Sequence, residues 1–121
     1  MSDDLELRRR LQDIAREVSA TRGMVAAGYE AFIAEDQQGY HFRRTGERVV
    51  EIIHEAAAKL PGHYKNQRPE VPWSVLRGMR NRITHAYGDV DYDILWDTLA
   101  TDLPAVAEAL KLELPEHPYK R

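Results

Sequence analysis

VVEIIHEAAAKL, residues 49–60, decides the fold class. Val49, Val50, Ile52, Ile53, Ala56, Ala57 and Leu60 recur at helical spacing and form an apolar face broad enough to meet more than one neighbour. The segment therefore predicts a central helix from about His41 to Leu60, stopped by Pro61 and Gly62. Gly46 lies inside it, and a helical glycine costs about 1 kcal/mol relative to alanine, so looser first turns are expected. Glu51, His54 and Glu55 are spaced by three and four, as metal ligands can be. No further carboxylate or histidine cluster completes a ligand set, so no metal is expected here. The two glutamates read better as groups that hydrogen-bond across a bundle or between subunits.

The same periodicity repeats on both sides of this segment. Leu7, Leu11, Ile14 and Val18 form one stripe of an amphipathic helix from Asp3 or Asp4 to about Arg22, with Gly23 as its stop and acids at its positive end. Arg8, Arg9 and Arg10 read as its solvated face. Tyr29, Phe32 and Ile33 predict a short helical turn ending near Gln38 and Gly39, packed across one end of the bundle. On the other side, PGHYKNQRPEVP, residues 61–72, reads as a loop, with Pro72 opening a helix that runs to about Ala86. Its core stripe is Val75, Leu76, Met79 and Ile83, with Trp73 covering its start. Gly88 breaks that helix, and GDVD, residues 88–91, caps the next one, which is expected from Tyr92 to Leu112. Trp96, Leu99, Leu103, Val106 and Leu110 make its seam. Pro104 must kink it or mark a second start after Asp102, and the tail PEHPYKR is expected to fray. No strand pattern, internal repeat or glycine-rich phosphate loop interrupts this series. The expectation is an all-α, up-and-down antiparallel helical bundle of four main helices and one short one, a single domain over residues 1–121.

Composition bounds the function. Apolar residues at 43% and charged residues at 31% suit an ordered globular chain. The absence of cysteine excludes disulfides, thiolate metal sites and cysteine nucleophiles. The amino terminus, MSDDLELRRR, has no apolar signal core, and no stretch is long enough to span a bilayer, which together predict a cytoplasmic protein without membrane contact. A net charge of −3 excludes coating of nucleic acid by bulk attraction, so any such contact must be local.

The local candidate is RGMRNRITHAY, residues 77–87. Arg80 carries a permanent charge on a planar fork of donors, and His85 can give or take a proton near neutral pH. On a continuous helix Asn81 would share a face with His85, and Arg80 would lie roughly 140° from it. Arg80 and His85 would then flank a groove that a substrate or a second copy must bridge. The spacing alone favours a histidine near a helix carboxyl end satisfying the dipole over a catalytic one. It also fits a non-catalytic helical module that binds a nucleotide or a protein.

The wider string PWSVLRGMRNRITHAYGDVDYDILWDTLATDLP, residues 72–104, resembles the HepT-like toxins of the HEPN superfamily of helical ribonucleases. The likeness rests on the Pro-Trp start, the Gly-Met-Arg-Asn-Arg core, the His-x-Tyr end, the Val-Asp turn and the Trp-Asp-Thr and Asp-Leu-Pro segments. It extends more weakly through residues 51–60. The resemblance implies a metal-independent endoribonuclease toxin, without cofactor, whose site forms across a symmetric homodimer. In it Arg80, Asn81 and His85 match the catalytic motif. His85 would be the acid/base, Arg80 would stabilise the charged phosphate, and Asn81 with Arg77 would hold substrate. Arg82 would be a supporting charge. Tyr87 matches the position that a cognate nucleotidyltransferase-type antitoxin modifies with AMP. Ala86 stands where glycine is common, and Val49 and His54 stand where asparagine and glycine are expected.

Overall fold

α4, Gln37–Ala58, is the element around which the others pack, and its broad apolar face explains why. Val49, Val50, Ile53, Ala56 and Ala57 are all buried along it. The computed structural model describes residues 2–120. Against α4 lie α1 (Ser2–Ala20), α3 (Tyr29–Ile33), α6 (Trp73–Ile83) and α7 (Tyr92–Asp97). The charge of Arg10 acts on Glu55, and that of Arg48 on Glu17, so α1 and α4 run in opposite directions. His54 meets Arg77, whereas Glu47 and Glu51 sit by Arg80 and Thr84, so α6 also opposes α4. The architecture is an all-α bundle, and among the described residues the one strand-like feature is an isolated bridge between Thr84 and Val90. Among them, too, no helix is long and apolar enough to cross a membrane.

Several boundaries differ from the sequence expectation, each for a local reason. α1 stops at Ala20 because the buried Thr21 hydroxyl donates back to the Val18 carbonyl at 2.8 Å. Its first-turn acid Asp3 has a side chain outside the described residues. Gly23 then falls inside α2 (Arg22–Ala27) rather than ending a helix. Of the basic run, Arg8 and Arg9 are solvated, while Arg10 is half-buried and paired to Glu6 at 2.6 Å. α4 starts four residues before His41, since the Asp36 carboxylate accepts from the Gly39 amide at 2.8 Å and caps it. Gly39 therefore begins this helix rather than closing the preceding turn, and a Cβ there would collide with the Ala34 carbonyl.

Gly46 does not loosen α4, which is continuous over 22 residues. A Cβ at Gly46 would lie 2.7 Å from Leu99 Cδ1, so the glycine permits close helix contact instead. The stretch 61–72 is not all loop, because α5 (Gly62–Asn66) forms within it and buries Tyr64. The Trp73 indole N–H closes the segment by donating to the Lys65 and Arg68 carbonyls at 3.1 and 2.9 Å. The last helix is interrupted: after α7 comes a π-helical turn, Thr98–Asp102, then α8, Leu103–Ala109, with Pro104 in its first turn. The second start after Asp102 is thus the one adopted. The extra residue in the π turn keeps Leu95, Leu99, Leu103 and Val106 on the core side. As far as Lys120 the tail is anchored rather than frayed, because Arg16 donates to the Pro118 and Lys120 carbonyls at 2.8 and 2.9 Å and Ser19 to that of Pro115; Arg121 lies outside the described residues.

Candidate active site

The site begins on the face of α6 that the core does not use. Leu76, Met79 and Ile83 turn inward and are buried, which leaves Arg77, Arg80 and Asn81 exposed. The helix ends at Ile83, three residues short of Ala86. Thr84 is extended, and its hydroxyl donates to the Arg80 carbonyl at 3.0 Å. Residues 84–90 form a tight hairpin instead of a fourth helical turn. The His85 amide donates to Asp89 at 2.7 Å, the Gly88 amide to His85 at 2.8 Å, and the Asp91 amide to Ile83 at 2.7 Å. Gly88 has φ of 95°, which a side-chain-bearing residue adopts only with strain. The helical geometry expected for Arg80, Asn81 and His85 therefore does not hold: His85 projects from a hairpin braced by the next helix.

That bracing runs through Asp91. One carboxylate oxygen caps α7 by accepting from the Asp93 and Ile94 amides, both at 3.1 Å. The other lies 3.5 Å from His85 Nε2, in reach of an ion pair once the imidazole is protonated. The His85 ring stacks on Tyr87, with centroids 5.1 Å apart and planes 13° from parallel. Tyr87 is 75% exposed, so its hydroxyl is open to solvent rather than packed as a cap. Asp91 is the site residue that sequence reasoning missed: GDVD signals a cap, and nothing in it signals the second oxygen's partner. Because asparagine also caps well, Asp91→Asn should change stability by only a few tenths of a kcal/mol. Asp91→Ala should cost about 1 kcal/mol, and urea unfolding of the two variants measures the difference.

Arg80 borders a cavity of about 150 Å³ shared with Glu47, Glu51, Thr84 and Val90. Glu47 is already held by Arg44 at 3.1 Å and by the Tyr92 hydroxyl at 3.3 Å, and Glu51 by Arg48 at 3.0 Å. Burial, then Glu47, push the Tyr92 phenol up, which keeps it a donor. Arg80 makes no ion pair among the described residues, so its donors stay available. Arg82 does not join it; it reaches the Val75 carbonyl at 3.2 Å and approaches Asp102 at 4.0 Å. Glu55 pairs with Lys59 at 3.0 Å, so Glu51, His54 and Glu55 serve separate partners. Among the described residues no group of three His, Asp or Glu is arranged to hold a metal ion.

Fold and site together define a helical-bundle protein with an arginine-bearing helix followed by a hairpin that presents a solvent-facing histidine. The profile of the family described as Ribonuclease HepT-like matches residues 11–112, and the chain belongs to that family. It is 41% identical over 59 residues to the probable ribonuclease HepT of Thermococcus cleftensis, covering 49% of this chain and 54% of that one. It is 36% identical over 64 residues to a candidate RNase of Caldanaerobacter subterraneus subsp. tengcongensis, covering 53% and 57%. A candidate RNase of Methanocaldococcus jannaschii is 32% identical over 65 residues, covering 54% and 60%. The chain thus spans about half the length of the curated relatives it matches. No solved structure matches it significantly.

Proposed function

We propose that the protein is a metal-independent endoribonuclease and the toxin of a toxin–antitoxin pair. The observation that carries the reading is the placement of His85: an exposed imidazole with Nε2 3.5 Å from an Asp91 carboxylate oxygen, on a backbone held by two hydrogen bonds, just beyond the helix bearing Arg80 and Asn81, in a chain of the HepT-like family. His85 takes the proton of a ribose 2′-hydroxyl as its oxygen attacks the adjacent phosphorus. The bond to the 5′ oxygen breaks, and that oxygen leaves with a proton from a protonated imidazole. Arg80 offsets the charge gathering on the phosphoryl oxygens, while Asn81 and Arg77 hold the strand. Acid and base roles are met together if two copies face each other, so the working unit is a homodimer in the cytoplasm. Light scattering at micromolar concentration should therefore give twice the chain mass; a monomer would count against the shared site.

Tyr87 is the switch in this reading. A nucleotidyltransferase-type antitoxin transfers AMP from ATP to its exposed hydroxyl, with the phenol oxygen attacking the α-phosphorus, the α–β bond breaking, and pyrophosphate and the phenol proton leaving. The added phosphate then sits against the His85 ring, where it blocks the face and repels RNA. The central test is incubation of purified protein with single-stranded RNA in excess chelator. Cleavage to a 2′,3′-cyclic phosphate and a 5′-hydroxyl is expected. Binding without cleavage would return the site to a non-catalytic binding module, and a need for divalent ions would remove the proposed chemistry.

A further inference from the structure

The groove between α4 and α6 is unevenly charged along its length. Near Arg80 its α4 wall is Glu47 and Glu51. About a turn away along α6, a second cavity of about 170 Å³ is lined by His54 and Ala57 of α4, Lys65 of α5, and Trp73 and Arg77 of α6. Three basic side chains from three helices, His54, Lys65 and Arg77, meet there, and no carboxylate lines the space. Among the described residues neither Lys65 nor Arg77 has an ion-pair partner.

We infer that this cavity, bounded by His54, Lys65, Arg77 and Trp73, is a second backbone-phosphate subsite that receives a nucleotide flanking the one cleaved. The inference rests on the ribonuclease reading above and adds where the strand runs. Like charges converging in a partly buried space repel each other until an anion joins them. Burial and then the Arg77 charge already depress the Lys65 ammonium, as such crowding requires. His54 Nε2 lies 3.1 Å from the Arg77 carbonyl. A carbonyl only accepts, so Nε2 carries the hydrogen, and in the neutral ring Nδ1 is an acceptor that a phosphate oxygen does not satisfy. Protonated, His54 donates from Nδ1 as well. Trp73 is locked by its two indole hydrogen bonds and forms a rigid wall, with Lys65 Nζ 5.9 Å from its ring centre. Beyond Arg80 the groove offers carboxylates already paired to Arg44 and Arg48, whereas toward Arg77 it offers cations without an ion-pair partner among the described residues, so the strand leaves Arg80 toward Arg77 rather than along Glu47.

The test is binding of a short mixed-sequence single-stranded RNA, its 2′-hydroxyls methylated against cleavage, followed by fluorescence anisotropy across a salt series. Paired substitution of Lys65→Gln and Arg77→Gln should weaken binding roughly tenfold. It should also reduce the slope of log affinity against log salt by about 0.7 for the one lost phosphate contact. With cleavable RNA the same variant should raise KM far more than it lowers kcat, because the contact is made equally in ground and transition states. Arg77→Lys should recover much of the affinity. Paired Arg9→Gln and Arg22→Gln, which removes two exposed charges from α1 and α2, controls for net charge and should bind as the parent does. If the parent binds and cleaves RNA but the paired variant keeps its affinity and salt slope, the subsite is wrong and the nuclease reading stands. If the parent neither binds nor cleaves RNA, both fall together.

Discussion

Replacing His85 by alanine is expected to slow RNA cleavage by roughly three orders of magnitude while leaving RNA affinity within about twofold, since positioned acid–base groups contribute on the order of 10²–10⁴ to rate. The expectation comes from what holds the ring. Its backbone is fixed by the hairpin bonds to Asp89 and Gly88, and its Nε2 edge faces Asp91, so removing the imidazole leaves the loop's framework in place. A loss confined to kcat is the signature of a group used in the transition state. Arg80→Ala should lose both rate and affinity, because a guanidinium meets the phosphate in both states. Asp91→Asn should lose less than His85→Ala: the α7 cap survives, the charge facing His85 does not, and the rate should fall about tenfold with stability nearly unchanged. Single-turnover rates with anisotropy on the same variants read all three. Cleavage that persists in His85→Ala at parental rate would falsify the assignment of His85 as acid/base.

The contrast between Arg80 and His85 shows what the residue pattern could and could not carry. Arg80 and Asn81 were legible because Leu76, Met79 and Ile83 set the phase of α6, and phase determines which side chains remain outside. His85 was legible as chemistry but not as geometry. The apolar stripe ends at Ile83, and the path of residues 84–90 is decided by backbone hydrogen bonds among Ile83, His85, Asp89 and their partners, for which side-chain periodicity carries no signal. The same limit explains Asp91, whose capping role is set by its place before α7 while its second oxygen finds His85 only once the hairpin closes. The interruption of the last helix was half legible: Pro104 announces a new start, but the π turn before it depends on how Leu99 nests against Gly46 on α4. The tail hid its anchor for a related reason. Arg16 is separated from Pro118 by 102 positions, and nothing local in PEHPYKR foretells a donor that far away.

The largest effect on stability is expected at Phe32. Its side chain is fully buried, and its ring packs 5.4 Å from that of Trp96, tilted by 46°. Its carbonyl accepts from Arg43 at 2.9 Å, and the same guanidinium nitrogen donates to the Ala34 carbonyl at 2.9 Å. α3 is therefore joined to α4 through its backbone and to α7 through its ring. Phe32→Ala removes only the ring, so the hydrogen bonds remain to hold α3 against collapse into the space left behind. Such a cavity should cost about 3–5 kcal/mol, a large share of the roughly 5–15 kcal/mol that a folded domain has in total. Urea unfolding followed by helical circular dichroism measures it, and a loss below about 1 kcal/mol would mean that Trp96 refills the site. Trp96 lies on α7, the helix whose amino end Asp91 caps, so a well-placed Phe32 also fixes the carboxylate that faces His85. Activity in the Phe32→Ala variant should accordingly fall at temperatures where most molecules remain folded, because the support beneath the histidine loosens before the bundle does.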